Sequence, residues 1–235
     1  MKHKGIARRA ATKLIIATLV IVAVVGVAGF AFGLIGVLAH LLAAIFLWLA
    51  SFLAFLWLLF VVFTVYFFRD PNPAVPPGPG LILSPGHGKV DAIEQITESQ
   101  FMGGPCHRVS TFLSVIDIHV QNAPVAGKIA LIEHKDGQFL SALKAESGLL
   151  NENVLIGFES AESPGEKIGV RLIAGLIARR IVPFVQIGDQ IPRGDRLSLI
   201  QFGSRCDLYF PLHYKIKVKL GDKVVGGETI MAATS

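Results

Sequence analysis

From Leu14 to Phe68 the chain runs for 55 residues without an Asp, Glu, Lys or Arg, interrupted by a single histidine, His40. About 20 apolar residues suffice to cross a bilayer. One helix of the full length would reach about 80 Å at ~1.5 Å per residue, against a hydrocarbon core of about 30 Å. Two helices folded into a hairpin fit, with the turn expected between Gly33 and His40, where Gly33 and Gly36 break the apolar pattern. The run is longer than a cleaved leader's core and continues directly into a second span, which argues against a signal peptide.

Lys2, Lys4, Arg8, Arg9 and Lys13 precede the run with no acid among them, and they account for the whole net charge of +5, because the remaining 17 basic residues balance 17 acidic ones. A basic end beside a span stays cytoplasmic, and a hairpin returns the chain to the same side, so the following domain is expected in the cytoplasm. Attraction to anionic lipid explains the basic tail; no nucleic-acid motif accompanies it. Cys106 and Cys206 are expected as free thiols, and no Cys or His spacing suggests a metal site.

The expected organisation is a basic tail over 1–13, a two-helix transmembrane hairpin over 14–68, a Pro- and Gly-rich stiff linker over 69–80, and a soluble domain over 81–235. Prolines at 71, 73, 76, 77 and 79 exclude helix from the linker. Leu81 to Val90 reads as strand, Gly turn, strand, and the β-branched stretch Thr111 to Val120 as one strand. Alternation along that strand would put Asp117 and His119 on one face. Near the end, Gly188-Asp189-Gln190-Ile191-Pro192-Arg193-Gly194-Asp195 is echoed by Gly221-Asp222-Lys223-Val224-Val225-Gly226-Gly227-Glu228. The fold class expected is mainly β: a compact β-sandwich or barrel-sandwich-like domain with quasi-repeated Gly-Asp hairpins, preceded by the α-helical hairpin.

Five stretches carry a resemblance to a known family: Phe67-Phe68-Arg69-Asp70-Pro71, Ser84-Pro85-Gly86-His87-Gly88-Lys89-Val90, His119-Val120 with Ala123-Pro124-Val125-Ala126-Gly127 after it, Val170 to Val182, and Phe202-Gly203-Ser204-Arg205 followed by Asp207 and Pro211. Taken together they resemble the phosphatidylserine decarboxylases, in their short branch. The resemblance implies a proenzyme in which the Ser204 hydroxyl attacks the Gly203 carbonyl. The resulting ester eliminates, and the dehydroalanine hydrolyses to ammonia and a pyruvoyl group heading the small chain, 204–235, with the large chain ending at 203. That covalent cofactor would form a Schiff base with the serine headgroup and accept the electrons released with carbon dioxide, giving phosphatidylethanolamine.

By the same resemblance His119 is the acid/base group, with Asp117 as an orienting group, while His87 occupies the position at which the family carries Asp. Asp91 is a further candidate to compensate for that loss. His134, Lys135, Arg171 and Arg179 are candidates for holding the lipid phosphate, though a solvated turn or exposed strand accounts for the same residues. The partners implied are phosphatidylserine or a related lipid, the membrane, and the two chains of one precursor; a homo-oligomer is admitted without being specified, and nucleic acid is not expected. Two alternatives stand beside this reading: an archaetidylserine decarboxylase with the same headgroup chemistry, and a non-catalytic membrane-anchored β-sandwich, whether pseudoenzyme or interaction module. His87 favours the second; Gly203-Ser204 and His119 speak against it.

Overall fold

A computed structural model describes residues 5–32, 36–138, 150–175, 180–201 and 204–234, which divide into a helical unit, Gly5–Arg69, and a β unit that begins at Asp70. In the helical unit α1 (Ile6–Phe32) and α2 (Gly36–Phe67) are antiparallel. Gly29 lets them approach: a Cβ there would stand 2.9 Å from the Phe46 Cβ, and one at Gly26 would stand 4.0 Å from the Ala50 Cβ. Farther along, the Trp57 indole N–H donates to the Thr18 hydroxyl and to the Ile15 carbonyl (3.3 Å). Small residues and an internally satisfied polar pair are what holds helices together where lipid leaves no hydrophobic drive between them.

Ala11–Phe30 and His40–Phe67 are long and apolar enough to cross a membrane. Residues 33–35, within the expected turn, lie outside the described residues. Two expectations shift: Arg8, Arg9 and Lys13 belong to α1 instead of a separate tail, and His40 is inside α2.

The β unit contains β1 (Leu81–Leu83), β2 (Gly88–Glu98), β3 (Gly104–Leu113), β4 (Val120–Asn122), β5 (Gly127–Lys135), β6 (Asn153–Ser160), β7 (Lys167–Ala174), β8 (Ile181–Pro183), β9 (Gln190–Ile191), β10 (Arg196–Ile200), β11 (Ser204–Phe210), β12 (Lys215–Ile216), β13 (Lys223–Val224) and β14 (Ile230–Ala233). Among the described residues they form a long sheet, β13-β2-β3-β11-β7-β6-β5-β9, and two three-stranded sheets, β1-β14-β12 and β4-β10-β8. Alternation decides the faces of the long sheet. Cys206, Leu208 and Phe210 of β11 join Val109 and Leu113 of β3 and Val170 and Leu172 of β7 in the core, while Arg205, Asp207 and Tyr209 point to the other face.

The long sheet reads as a palindrome about the β11–β7 pair, and the hydrogen bonds show why. Gly188 N–H donates to Ile129 O and Gly221 N–H to Val90 O, both at 2.8 Å; Ile129 N–H and Val90 N–H return bonds to Asp189 O and Asp222 O, both at 2.9 Å. The Asp189 carboxylate accepts from Gln186 N–H and the Asp222 carboxylate from Lys219 N–H. Gly188 and Gly221 have φ of 95° and 91°, a conformation that side chains resist, so both turns need glycine. Gly194 and Gly227 donate in parallel to Ala123 O and Ser84 O at 2.8 Å. The Gly-Asp echo therefore extends to a second one: Ser84-Pro85 through Lys89-Val90 matches Ala123-Pro124 through Lys128-Ile129.

One half of this pseudo-symmetric pair is continuous, with β6 and β7 joined by the short turn 161–166. In the other half the equivalent strands, β3 and β11, are neighbours in the sheet, with Leu113 opposite Ser204, yet the whole of β4 to β10 is inserted between them. The chain leaves β3 by an outward crossover, 114–119, whose end lies beside the end of β10, for Leu199 pairs with Val120 and Ile200 N–H donates to His119 O at 3.1 Å.

The outward crossover corrects the strand expected over Thr111–Val120. β3 stops at Leu113 because the Asp117 carboxylate accepts from both the Ser114 N–H (2.8 Å) and its hydroxyl (2.7 Å), while Asp117 N–H returns to Ser114 O (2.9 Å). Side-chain bonding of this kind competes directly with a strand ladder.

The Pro-rich segment is part of the β unit and not a free linker. Wholly buried Arg196 grips Asp70, Ala74 N–H donates to Glu228, and Arg193 donates to the carbonyls of Pro76 and Gly78.

Candidate active site

Ser204 opens β11 with its side chain on the core face, between Leu113 of β3 and Ala174 of β7. It is fully buried, and its Oγ has no hydrogen-bond partner among the described residues. The Ser110 and Thr111 hydroxyls on β3 are buried without a partner as well; what distinguishes Ser204 is its place at the head of β11, next in the chain to Gly203, where a chain-derived carbonyl group would sit in the same water-poor setting. The residues present thus fit a pyruvoyl group formed from Ser204. Gly203 and Phe202 lie outside the described residues.

His119 is also wholly buried and ends the outward crossover. Its position is fixed from three sides. Its carbonyl accepts from Ile200 N–H and from the Gln121 amide (2.8 Å), and Gln121 in turn accepts from the Ser198 hydroxyl (2.7 Å). Its ring Nδ1 stands 2.9 Å from the Asp117 carbonyl oxygen. A carbonyl can only accept, so Nδ1 carries the hydrogen in this contact and Nε2 is the basic nitrogen of the neutral ring. Asp117 therefore orients His119 through its backbone, its carboxylate being committed to Ser114. Gln121 and Ser198 were not signalled by sequence: their roles depend on the β4–β10 pairing.

The loop carrying His87 is drawn to the same end. Gly86 packs where a Cβ would meet Leu113 Cδ1 at 3.4 Å and Cys206 Cβ at 3.5 Å, and a Cβ on Gly226 would meet Asn122 Oδ1 at 2.8 Å and His87 Nε2 at 2.9 Å. His87 and Asn122, the latter three residues along the chain from His119, thus converge on Gly226.

The other candidates stand elsewhere. Asp91 pairs with Arg205 at 3.2 Å on the face of the sheet opposite Ser204, and burial raises its carboxyl above the ordinary range against the opposing pull of Arg205. Arg205 also holds Asp207 at 3.1 Å, so the residue after the Gly-Ser bond is pinned to that outer face. Arg171 is on the outer face too, beside Glu98 (3.5 Å), Gln100 and the Tyr209 ring. His134, paired with Glu152 at 3.1 Å, and Lys135 lie on β5, three strands from β11 and so about 14 Å away by strand spacing. Arg179 lies outside the described residues; its neighbour Arg180 is exposed and accepts from Gln201 N–H through its carbonyl at 3.1 Å. Cys206, two residues from Ser204, has its thiol pushed well above its ordinary value by burial and does not compete as a nucleophile.

A sequence profile described as phosphatidylserine decarboxylase matches residues 60–232. A phosphatidylserine decarboxylase proenzyme of Desulfotalea psychrophila is 43% identical over 179 residues, covering 76% of this chain and 83% of the relative. One of Carboxydothermus hydrogenoformans is 39% identical over 198 residues, covering 84% of this chain and 90% of the relative, and one of Symbiobacterium thermophilum is 39% identical over 170 residues, covering 72% and 78%.

Proposed function

The chain belongs to the phosphatidylserine decarboxylase family, and from that premise we propose that it is a membrane-anchored proenzyme that breaks its own Gly203–Ser204 bond and then converts phosphatidylserine to phosphatidylethanolamine. The observation that supports the reading is the buried Ser204 Oγ, without a partner among the described residues and next in the chain to Gly203, together with wholly buried His119, whose carbonyl accepts from Ile200 N–H four residues before Ser204.

In self-cleavage a bond forms from Ser204 Oγ to the Gly203 carbonyl carbon as the peptide C–N bond breaks. His119 Nε2 takes the hydroxyl proton and returns it to the departing nitrogen. Loss of the Ser204 α-proton and cleavage of its Cβ–Oγ bond then free the large chain's carboxylate, and water releases ammonia. The small chain stays in place because β11 is laddered to both β3 and β7, and Arg205 is pinned by Asp91 and Asp207. The pyruvoyl group left at its head supplies a carbonyl that takes the substrate amine and draws off the electrons released with carbon dioxide. His119, no longer needed for cleavage, is the group that protonates the product carbon.

Both helices span the membrane in this reading, with the β unit on the cytoplasmic side that the five N-terminal cations select. Intact mass of the purified protein tests it, with Ser204→Ala as control. Two chains divided at 203/204, the smaller bearing pyruvoyl, together with phosphatidylethanolamine from phosphatidylserine vesicles, are expected. A single uncleaved wild-type chain would overturn it.

A further inference from the structure

We propose that the outward crossover, 114–117, inserts into the bilayer surface and brings the acyl-chain layer to the mouth of the candidate site. The inference deepens the reading above, in which the substrate is a membrane lipid. Val115 and Ile116 are 40% and 61% exposed at the tip of this turn, immediately before Asp117 and His119. The turn is not slack: three hydrogen bonds between Ser114 and Asp117 close it, so its two apolar side chains are presented outward as a fixed pair.

The pseudo-symmetry provides an internal comparison, because the axis through the long sheet exchanges its two ends. At the far end the turn equivalent to this opened hairpin, 161–166, carries Glu162 and Glu166, paired with Arg193 (3.2 Å) and His213 (2.9 Å). At the site end the positions corresponding to Glu162 and Ser163 carry Val115 and Ile116. Leu220, 65% exposed before Gly221, stands at this end too, since Gly221 N–H bonds to Val90 O at the start of β2. Two exposed cations, Lys89 and Arg180, flank the same end. Apolar tips with exposed cations beside them match a lipid surface that is anionic at its headgroups and apolar beneath them. The chain carries such a surface with it, for a 28-residue apolar span ends at Phe67 and the β unit begins at Asp70.

Cys106 and Cys206 are both buried, so an Ile116→Cys variant can be labelled selectively with an environment-sensitive fluorophore. Ile187, the pseudo-equivalent of Leu220 and 63% exposed at the far end, gives the matching control as Ile187→Cys. The full chain in phosphatidylglycerol-phosphatidylcholine vesicles is expected to show blue-shifted emission at position 116 that nitroxide-bearing lipid quenches, with water-like, unquenched emission at 187. Water-like emission at 116 would overturn the proposal. A blue shift that lipid nitroxide does not quench would overturn it equally, since protein would then cover the turn. Self-cleavage of the wild-type chain in the same vesicles separates the two readings: a cleaved wild type with an unquenched label at 116 sinks the membrane wedge alone, and an uncleaved wild type with a quenched label at 116 sinks the proposed function alone.

Discussion

Arg196 closes on Asp70 with its Nε 2.8 and 2.6 Å from the two carboxylate oxygens, and neither side chain has appreciable contact with solvent. The same guanidinium reaches Asn72 Oδ1 at 3.1 Å, so one buried cation organises the segment entering the β unit. Arg196 sits on β10 opposite Asn122 of β4, the strand that follows the outward crossover. Removing one partner leaves the other charge buried alone, which costs about 3–5 kcal/mol. Asp70→Ala is therefore expected to lower the urea midpoint of the β unit strongly. Asp70→Asn should lose less, and Asp70→Ala combined with Arg196→Met should recover part of the loss. Equal midpoints for wild type and Asp70→Ala would show that the pair contributes nothing.

Asp117 meets His119 through its carbonyl and Ser114 through its carboxylate, which separates charge from position. Asp117→Asn keeps an acceptor for Ser114 and leaves the carbonyl where it is, so the rate of self-cleavage and the pH of its half-maximum should barely move. Asp117→Ala opens the turn, at about 0.5–2 kcal/mol by analogy with a lost cap, and should slow cleavage by an order of magnitude or so. A pH profile displaced by Asp117→Asn would instead show that the carboxylate acts on His119 directly.

Burial raises both thiols, that of Cys206 well above its ordinary 9.0. At pH values below that figure the thiol is neutral in both folded and unfolded chains and has no effect on stability. As pH climbs past it, the unfolded chain releases a proton that the folded chain retains, so stability falls with rising pH. The unfolding midpoint should drop above pH 9 more steeply in the wild type than in Cys206→Ala, and at pH 8 alkylating reagents should leave Cys206 unmodified until urea is added.

The apolar two-helix hairpin was legible because charge-free length is a property of composition, and β strands with Gly-Asp turns were legible because a positive φ demands glycine at 188 and 221. Less could be read where partners are remote. Arg196 has no local signal that its counter-ion lies 126 positions earlier, and Gln121 gains its role only when Ser198 arrives across a ladder. The break at Ser114 was hidden for a different reason: β-branched neighbours favour a strand, and one carboxylate overrides them. Ser204 and His119 were named from flanking motifs, whereas the pairing of β3 with β11 across the whole insertion from β4 to β10 is a property of topology alone.

His87 stands where the resemblance read from the sequence implies an Asp, and its surroundings make the consequence measurable. The ring faces Gly226 together with Asn122, in a loop that Gly86 seats against Leu113 and Cys206. If His87 assists proton movement during cleavage, His87→Ala should slow it by roughly 10²-fold or more, while His87→Asp, restoring an acceptor, should cleave at least as fast as wild type. Gly226→Ala would push a methyl group to within 3 Å of the ring nitrogen and should slow cleavage by displacing it. That effect should shrink in the His87→Ala background, where only the clash with Asn122 Oδ1 is left and the two changes no longer add. Cleavage at the wild-type rate in His87→Ala would remove His87 from the machinery and leave His119 to carry the proton transfer by itself.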